Sequence, residues 1–442
     1  MRILVTIMLA FPLLLSGQEM LPLSLTESIR LALENNPSAK ISSERVKDAA
    51  LSRREAWSGF LPQIDTRGST ILDEKIRVIE MPDFFNPGQT ISVELDFTYD
   101  YQTDWSITQP IFTGGKLTKS LQLARANLES AQLDELLARN DLTLQVSQAY
   151  LGMLVAQEFL RVATEAHTIT EDFYRITQQM YNEGLASKLD LLQSEVQMAN
   201  LVPRVTQARN AVKLAEAGLK TVMGIQDTQS LLLTDELHYE AHEYSLDELL
   251  SEALANRHEL RQMDLRGQMG RYARSIARGG YLPMIALSGS YSTFGNDLAE
   301  VGQWEDSYTV SMGLSFNLFS GGRRRTSVQK AQVAIRQAEL GRIALEDAIE
   351  LEVEGAYHTL IESESTLLSS EKTVAQAEEA ARLAQLQYQA GTITHLQANQ
   401  IQANLTNARA NYAQALFSYT LANIRIKKAV GRNLMEELGV PQ

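Results

Sequence analysis

The sequence predicts a mainly helical chain that carries a short membrane β-barrel segment, built from two similar halves. Three observations carry this. The stretch from Pro110 to Gly224 recurs 207 residues later with no insertion. Inside it lie helical patterns far longer than a compact domain needs. Ahead of it, in each half, run segments whose apolar residues alternate with period two.

The repeat can be followed residue by residue. At the shift of 207, Phe112 falls on Phe319, Gly114-Gly115 on Gly321-Gly322, and Ala149-Tyr150 on Ala356-Tyr357. Tyr181 falls on Tyr388, Gly184 on Gly391, Leu189 on Leu396, Lys220 on Lys427 and Gly224 on Gly431. Upstream the shift becomes 221. There Ala32-Leu33 matches Ala253-Leu254, Gly59 matches Gly280, and Leu61-Pro62 matches Leu282-Pro283. The first copy therefore holds 14 extra residues between Pro62 and Pro110. A unit this long is a duplicated half-protein rather than a solenoid repeat.

In chain order, Arg2 followed by the apolar run Ile3 to Leu15 and the small pair Ser16-Gly17 reads as a signal peptide over 1–17. The first structural repeat then spans 18–224, a linker 225–245, and the second repeat 246–442. Each repeat opens with a short amphipathic helix. Thr26 is a plausible N-cap for the first, which runs to Asn35-Asn36-Pro37, and a second helix follows from Ser38 to about Ser58. Leu246 to Arg257 repeats the opening helix.

Strand hairpins are expected over about 62–111 and 283–319. In the second half Ile285, Leu287, Gly289 and Tyr291 alternate with small or polar residues, as do Tyr308, Val310, Met312, Leu314, Phe316 and Leu318. In the first half the clearest alternation is Ile91, Val93, Leu95, Phe97, Tyr99 and Tyr101. The strand after Pro62 is the weakest, because Asp65 and Arg67 face nothing apolar. One face of this set is apolar and the other polar, which fits a barrel wall. Four strands are too few to close one, since about eight is the minimum. The barrel is therefore shared among several chains.

Long helical hairpins follow over 115–223 and 322–430. From Gly115 to Tyr181 there is no proline, and apolar or small residues fall at Leu117, Leu121, Ala124, Leu128 and Ala131, a coiled-coil seam. At 1.5 Å per residue the span is roughly 100 Å. Asn182-Glu183-Gly184 and Gln389-Ala390-Gly391 break the two patterns into hairpin tips.

Composition excludes several classes. The net charge is −14, which disfavours a nucleic-acid partner. The chain has no cysteine, so disulfides and thiolate metal sites are ruled out. After the opening run no segment has ~18 uninterrupted apolar residues, so no transmembrane helix is expected. His238 and His242 are four apart among Glu236, Glu240 and Glu243, a spacing that binds zinc on a helix, but HExxH is absent and a solvated acidic linker is the stronger reading. Gly114-Gly115-Lys116 lacks the rest of a phosphate-binding loop. Arg323-Arg324-Arg325 opens a helix beside the strands, where it flanks the membrane and meets anionic headgroups.

With Gln109-Pro110-Ile111-Phe112-Thr113-Gly114-Gly115, Ala149-Tyr150, Tyr181-Asn182-Glu183-Gly184-Leu185, Tyr388-Gln389-Ala390-Gly391-Thr392 and Val430-Gly431 in view, the chain resembles the TolC-like outer membrane efflux proteins. The resemblance covers nearly everything after the signal peptide. It implies a homotrimer in which four strands per chain make a twelve-stranded β-barrel and the helical hairpins make a trimeric α-barrel tunnel. Such proteins sit in the outer membrane with a large periplasmic portion. They are not enzymes and use no cofactor. They passively conduct small molecules or polypeptides as the exit duct of a tripartite efflux or type I secretion system. The implied partners are a periplasmic adaptor, an inner-membrane pump and outer-membrane lipid.

The resemblance also implies a closed entrance at the tips, where a tyrosine of the second repeat contacts an aspartate of the first. Tyr388 and Asp190 match these positions. The family's best-known member places an arginine just after the second tip glycine and two aspartates further on. Here Ile393, Gln397 and Gln400 stand there, so the carboxylate rings are missing. Gly184, Leu185 and Ala186 with Gly391, Thr392 and Ile393 match the segments where adaptors dock. Two other classes remain open: a soluble periplasmic coiled-coil scaffold or adaptor, and a metalloenzyme built on the linker histidines.

Overall fold

The computed structural model describes residues 21–72, 77–95, 99–226 and 229–440. The expected signal peptide, 1–17, lies outside them. The first half runs β1 (Leu21–Leu23), α1 (Leu25–Asn35), α2 (Pro37–Ser58), β2 (Gln63–Thr70), β3 (Arg77–Pro82), β4 (Thr90–Leu95), β5 (Tyr101–Phe112), α3 (Lys116–Asn182) and α4 (Lys188–Met223). The second runs β6 (Leu231–Leu233), α5 (Leu246–Asn256), α6 (His258–Gly279), β7 (Met284–Gly295), a 3-10 turn (Leu298–Gln303), β8 (Glu305–Ser315), α7 (Arg323–Gln389), α8 (His395–Ala429) and α9 (Leu434–Glu437). The chain divides into two compact units, each drawn from both halves of the sequence.

One unit comprises residues 46–131 and 262–341. Its centre is an antiparallel sheet in the order β2-β5-β7-β8. Period-two alternation sorts its side chains into rows. One face carries Thr66, Trp105, Tyr291 and Tyr308 in one row and Ile64, Ile107, Gly289 and Val310 in the next. Leu287 and Met312, then Ile285 and Leu314, continue it. The other face is polar: Arg67, Asp104, Ser292 and Ser307 align, and the Ser292 hydroxyl donates to Asp104 at 2.6 Å. Among the described residues nothing covers these apolar rows, and Trp105, Tyr308, Met312 and Leu314 are all exposed. Asp65 and Arg67, which obscured β2 in the sequence, lie on the polar face opposite Ser106 and Asp104.

The first-half strand differs from its expected position. Residues 90–95 pair with 77–82 as a separate hairpin, and the sheet strand is Tyr101–Phe112 instead. The stretch with 14 extra residues holds a hairpin with its own alternation, which outshines the sheet strand beside it. Residue 97 of the expected strand lies outside the described residues. In the second half β8 ends at Ser315, so Phe316 and Leu318 are beyond it.

Each sheet strand adjoins a helix in sequence, and the helices keep the sheet's order α2, α3, α6, α7. Leu117 meets Gly59, the backbones of Gly114 and Gly279 touch, and Ile335 lies against Gly270. A Cβ placed on Gly114 would sit 2.6 Å from the Gly279 carbonyl oxygen, closer than any side chain tolerates.

The other unit comprises residues up to 45, 132–261 and 342 onward. It has two main cores, and they are copies. Leu142, Val146, Leu219 and Met223 fill one, and Ile349, Val353, Ile426 and Val430 fill the other, at the shift of 207. Each fully buried aliphatic side chain contributes about 1.5–3 kcal/mol. A parallel pair, β1 with β6, ties the start of the chain to the linker, and the buried Tyr150 hydroxyl donates to the Leu23 carbonyl at 3.0 Å. Among the described residues no helix is long and apolar enough to cross a membrane.

Candidate entrance gate

Two hairpin tips carry the expected gate. Each turns on a glycine in the left-handed region, Gly184 at φ 76° and Gly391 at φ 71°. A Cβ at either would meet no atom within 4 Å, so the demand for glycine is conformational rather than steric. The returning helices open with matching capping boxes. In α4 the Ser187 hydroxyl accepts from the Asp190 amide at 3.1 Å, while the Asp190 carboxylate accepts from the Ser187 amide at 3.1 Å and its hydroxyl at 2.6 Å. In α8 the Thr394 hydroxyl accepts from the Gln397 amide at 3.3 Å, and the Gln397 side chain accepts from the Thr394 amide at 2.9 Å. Such caps satisfy amides that the first helical turn leaves without partners.

Tyr388 is only 5% exposed. Its ring lies 5.4 Å from Phe173 and 5.7 Å from His395. Its hydroxyl is 2.5 Å from Thr177 Oγ1. The Thr177 hydroxyl donates to the Phe173 carbonyl at 2.8 Å, which leaves its oxygen to accept from Tyr388. Burial pushes the phenol above its usual pKa, Thr177 draws it back, and the Asp190 charge raises it again.

Thus Tyr388 and Asp190 are not hydrogen-bonded to one another in this structure. The tyrosine fastens α7 to α3 through Thr177, and the aspartate caps its own helix. The Ser187 hydroxyl holds the Asp190 carboxyl below the usual range. The aspartate reaches its neighbours through charge, acting on both Tyr388 and His395. Gln400 is exposed and donates to Asn404 along its own helix. Among the residues expected to dock an adaptor, Leu185 is 70% exposed and Gly184, Gly391 and Thr392 are exposed, while Ala186 is half-buried. Ile393 packs inward against the cluster of Phe173, Tyr388 and Ala398.

Four residues of this region were not singled out from the sequence. Phe173 and Thr177 sit where the second copy has Ala380 and Ala384, so a divergence between copies marked them. His395, 3% exposed, replaces Lys188 of the first copy. Its Nε2 lies 2.5 Å from the Asn399 amide nitrogen and its Nδ1 has no partner. Burial lowers its pKa and the Asp190 charge opposes this. Further along α8, Arg409 bridges two helices, binding Glu165 of α3 at 2.5 Å and Glu378 of α7 at 2.9 Å.

The linker histidines are not on a helix. His238 Nε2 meets Glu240 at 3.0 Å and His242 Nδ1 meets the Glu240 carbonyl at 2.9 Å. Among the described residues no cluster of three His, Cys, Asp or Glu is placed to hold a metal.

A family model described as outer membrane efflux protein matches residues 28–225 and 249–432. The outer membrane protein TolC of Escherichia coli (strain K12) is 25% identical over 342 residues, covering 74% of this chain and 68% of that one. The outer membrane efflux protein BepC of Brucella suis biovar 1 is 21% identical over 438 residues, covering 96% and 89%. In fold, the chain is similar to the Campylobacter jejuni CmeC outer membrane channel, with a TM-score of 0.75 at 17% identity, over 92% of this chain and 85% of that one.

Proposed function

This chain belongs to the outer membrane efflux protein family, and from that premise we propose that three copies close one twelve-stranded barrel and line one tunnel with their long helices. The chain is an outer-membrane exit duct with a periplasmic tunnel, as its relatives are. The observation that supports the trimer is the sheet itself. Among the described residues β2 and β8 each pair on one side only, and lipid offers no hydrogen bonds to the open edges. A neighbouring copy supplies them. A soluble scaffold leaves the uncovered row of Trp105, Tyr291 and Tyr308 unexplained.

The duct does no chemistry of its own. A periplasmic adaptor meets the exposed tip residues Gly184, Leu185, Gly391 and Thr392, and an inner-membrane pump supplies the driving force. The entrance is held by Tyr388 through Thr177, with Asp190 acting by charge and Gln397 and Gln400 replacing acidic rings. Native mass measurement in detergent tests the assembly. A trimer is expected, and a stable monomer in both detergent and lipid would overturn it.

A further inference from the structure

We propose that the helix ends adjoining the sheet form a basic collar that binds anionic phospholipid headgroups of the periplasmic leaflet. The proposal rests on the outer-membrane seating of the sheet and extends it to a choice of lipid.

Charge is sharply sorted along the chain. Residues 46–58, 116–131, 262–279 and 323–341 hold fifteen Lys and Arg against five Asp and Glu. That is a net +10 in a chain whose total is −14. The strands and loops between them, 63–112 and 284–315, hold thirteen acids against three bases. The reversal falls at the junction of strand and helix.

The structure sets these segments side by side. Beyond the glycine contacts already described, Lys119 Nζ lies 5.7 Å from the Tyr272 ring centroid. Arg274 donates to Gln332 at 2.7 Å, and the Arg324 guanidinium lies 5.5 Å from the Tyr281 ring. The four helix ends therefore share one level, directly past the apolar rows that end at Ile285 and Leu314. Arg278 is six residues before β7, and Arg323 is eight after β8. Arg324 lies over the ring of Tyr281, three residues before β7, so the start of α7 lies beside the end of the sheet. The headgroup layer is roughly 5–8 Å deep on each side of a bilayer, within reach of extended arginines.

Six of these charges face no carboxylate among the described residues. Arg53, Arg54, Arg271, Arg278, Arg323 and Arg325 are exposed and make no ion pair among the described residues. A guanidinium matches a phosphodiester with paired donors, and each basic residue near an anionic surface is worth about fivefold in affinity. Screening by salt follows.

The test uses the full chain and the variant R53Q/R54Q/R323Q/R325Q. Arg324 and Lys119 stay, because they pack on aromatic rings. Each protein is reconstituted into vesicles of phosphatidylcholine alone or mixed with phosphatidylglycerol, and retained lipid is counted by native mass spectrometry at low and high salt. The expected result is a salt-sensitive preference of the natural chain for phosphatidylglycerol, reduced at least fivefold in a variant that still inserts into phosphatidylcholine. Insertion without any headgroup preference, or a preference the variant keeps, overturns the collar alone. Salt-sensitive retention on peptidoglycan without a lipid preference assigns the collar to the cell wall and overturns the lipid partner. Failure to insert into any vesicle overturns the membrane seating together with the collar.

Discussion

The two hairpin tips share a backbone and differ in what they bury. In the first, Tyr181 is 37% exposed and Lys188 lies over its ring at 5.4 Å. In the second, the equivalent pair is Tyr388 and His395, both buried, with rings 5.7 Å apart. The capping boxes match as well, except that a carboxylate closes the first and an amide the second. The two copies thus share the glycine turn and the cap, and only the second carries an aromatic plug against α3 among the described residues. The copy that diverged inward is where the hold on the entrance is expected. The copy that stayed exposed is free to be recognised.

The strongest way to break this comparison is to truncate each tyrosine. Tyr388→Ala should cost about 3–4 kcal/mol of local stability, the usual range for emptying a buried aromatic site. Faster hydrogen exchange at 173–180 and a larger single-channel conductance are expected. Tyr181→Ala should cost under ~1 kcal/mol, as an exposed ring does. Equal effects would mean that the tips are interchangeable.

Next in size is the hydroxyl pair. Thr177→Val keeps the shape and leaves the Tyr388 hydroxyl unsatisfied, at about 1–3 kcal/mol. Asp190→Ala removes the N3 half of the capping box, at about 0.3–1.5 kcal/mol, and should loosen the start of α4 rather than the plug. Conductance in planar bilayers separates them. If Asp190→Ala opens the pore more than Thr177→Val, the aspartate is the latch partner after all.

A smaller effect is expected from pH. The folded pKa of His395 lies below its usual 6.5, so the plugged tip binds fewer protons than an opened one. Its stability is complete above that value and declines as pH falls through 6.5 toward the lowered pKa. Conductance should rise with acidification in this window, and His395→Gln should flatten the response. Asp190 works in a separate window, because its carboxyl is held below the usual 3.8. Its contribution stands above that value and is lost only as pH falls through the lowered pKa. A profile unchanged by His395→Gln would remove the histidine from the plug.

The smallest expected effect is Lys188→Ala, which removes one exposed cation–π contact worth about 0.5 kcal/mol. Channel conductance should hold, while binding of a purified adaptor weakens if this tip is the recognised one.

Helices were legible because their signals are local. The pattern read from Gly115 to Tyr181 is the helix Lys116–Asn182, bounded by glycines that any reading notices. Strands were half legible. Residues 91–101 alternate more cleanly than 101–112, yet the sheet uses the latter, whose polar row of Asp104, Ser106 and Thr108 pairs with Ser292, Ser290 and Ser288 of β7. A period-two test rewards any amphipathic ribbon and does not say which ribbon has neighbours. The tip pair was legible as neighbours and not as a contact. Tyr388 could be placed near Asp190 by depth, but which helix its hydroxyl meets depends on helix rotation. That is set by packing around Phe173 and Ala398, not by spacing along the chain.

The close approach of Gly114 and Gly279 has a further consequence. Strands sit about 4.8 Å apart and helices 8–10 Å apart, yet each strand feeds one helix in the same order. The two lattices have different pitch and must be reconciled within a few residues. Bare backbone against bare backbone lets two neighbouring helices begin at nearly strand-like spacing before they fan out. The spacing at this one contact is therefore set by main chain rather than by rotamers. A single added methyl at either glycine should force these two segments apart.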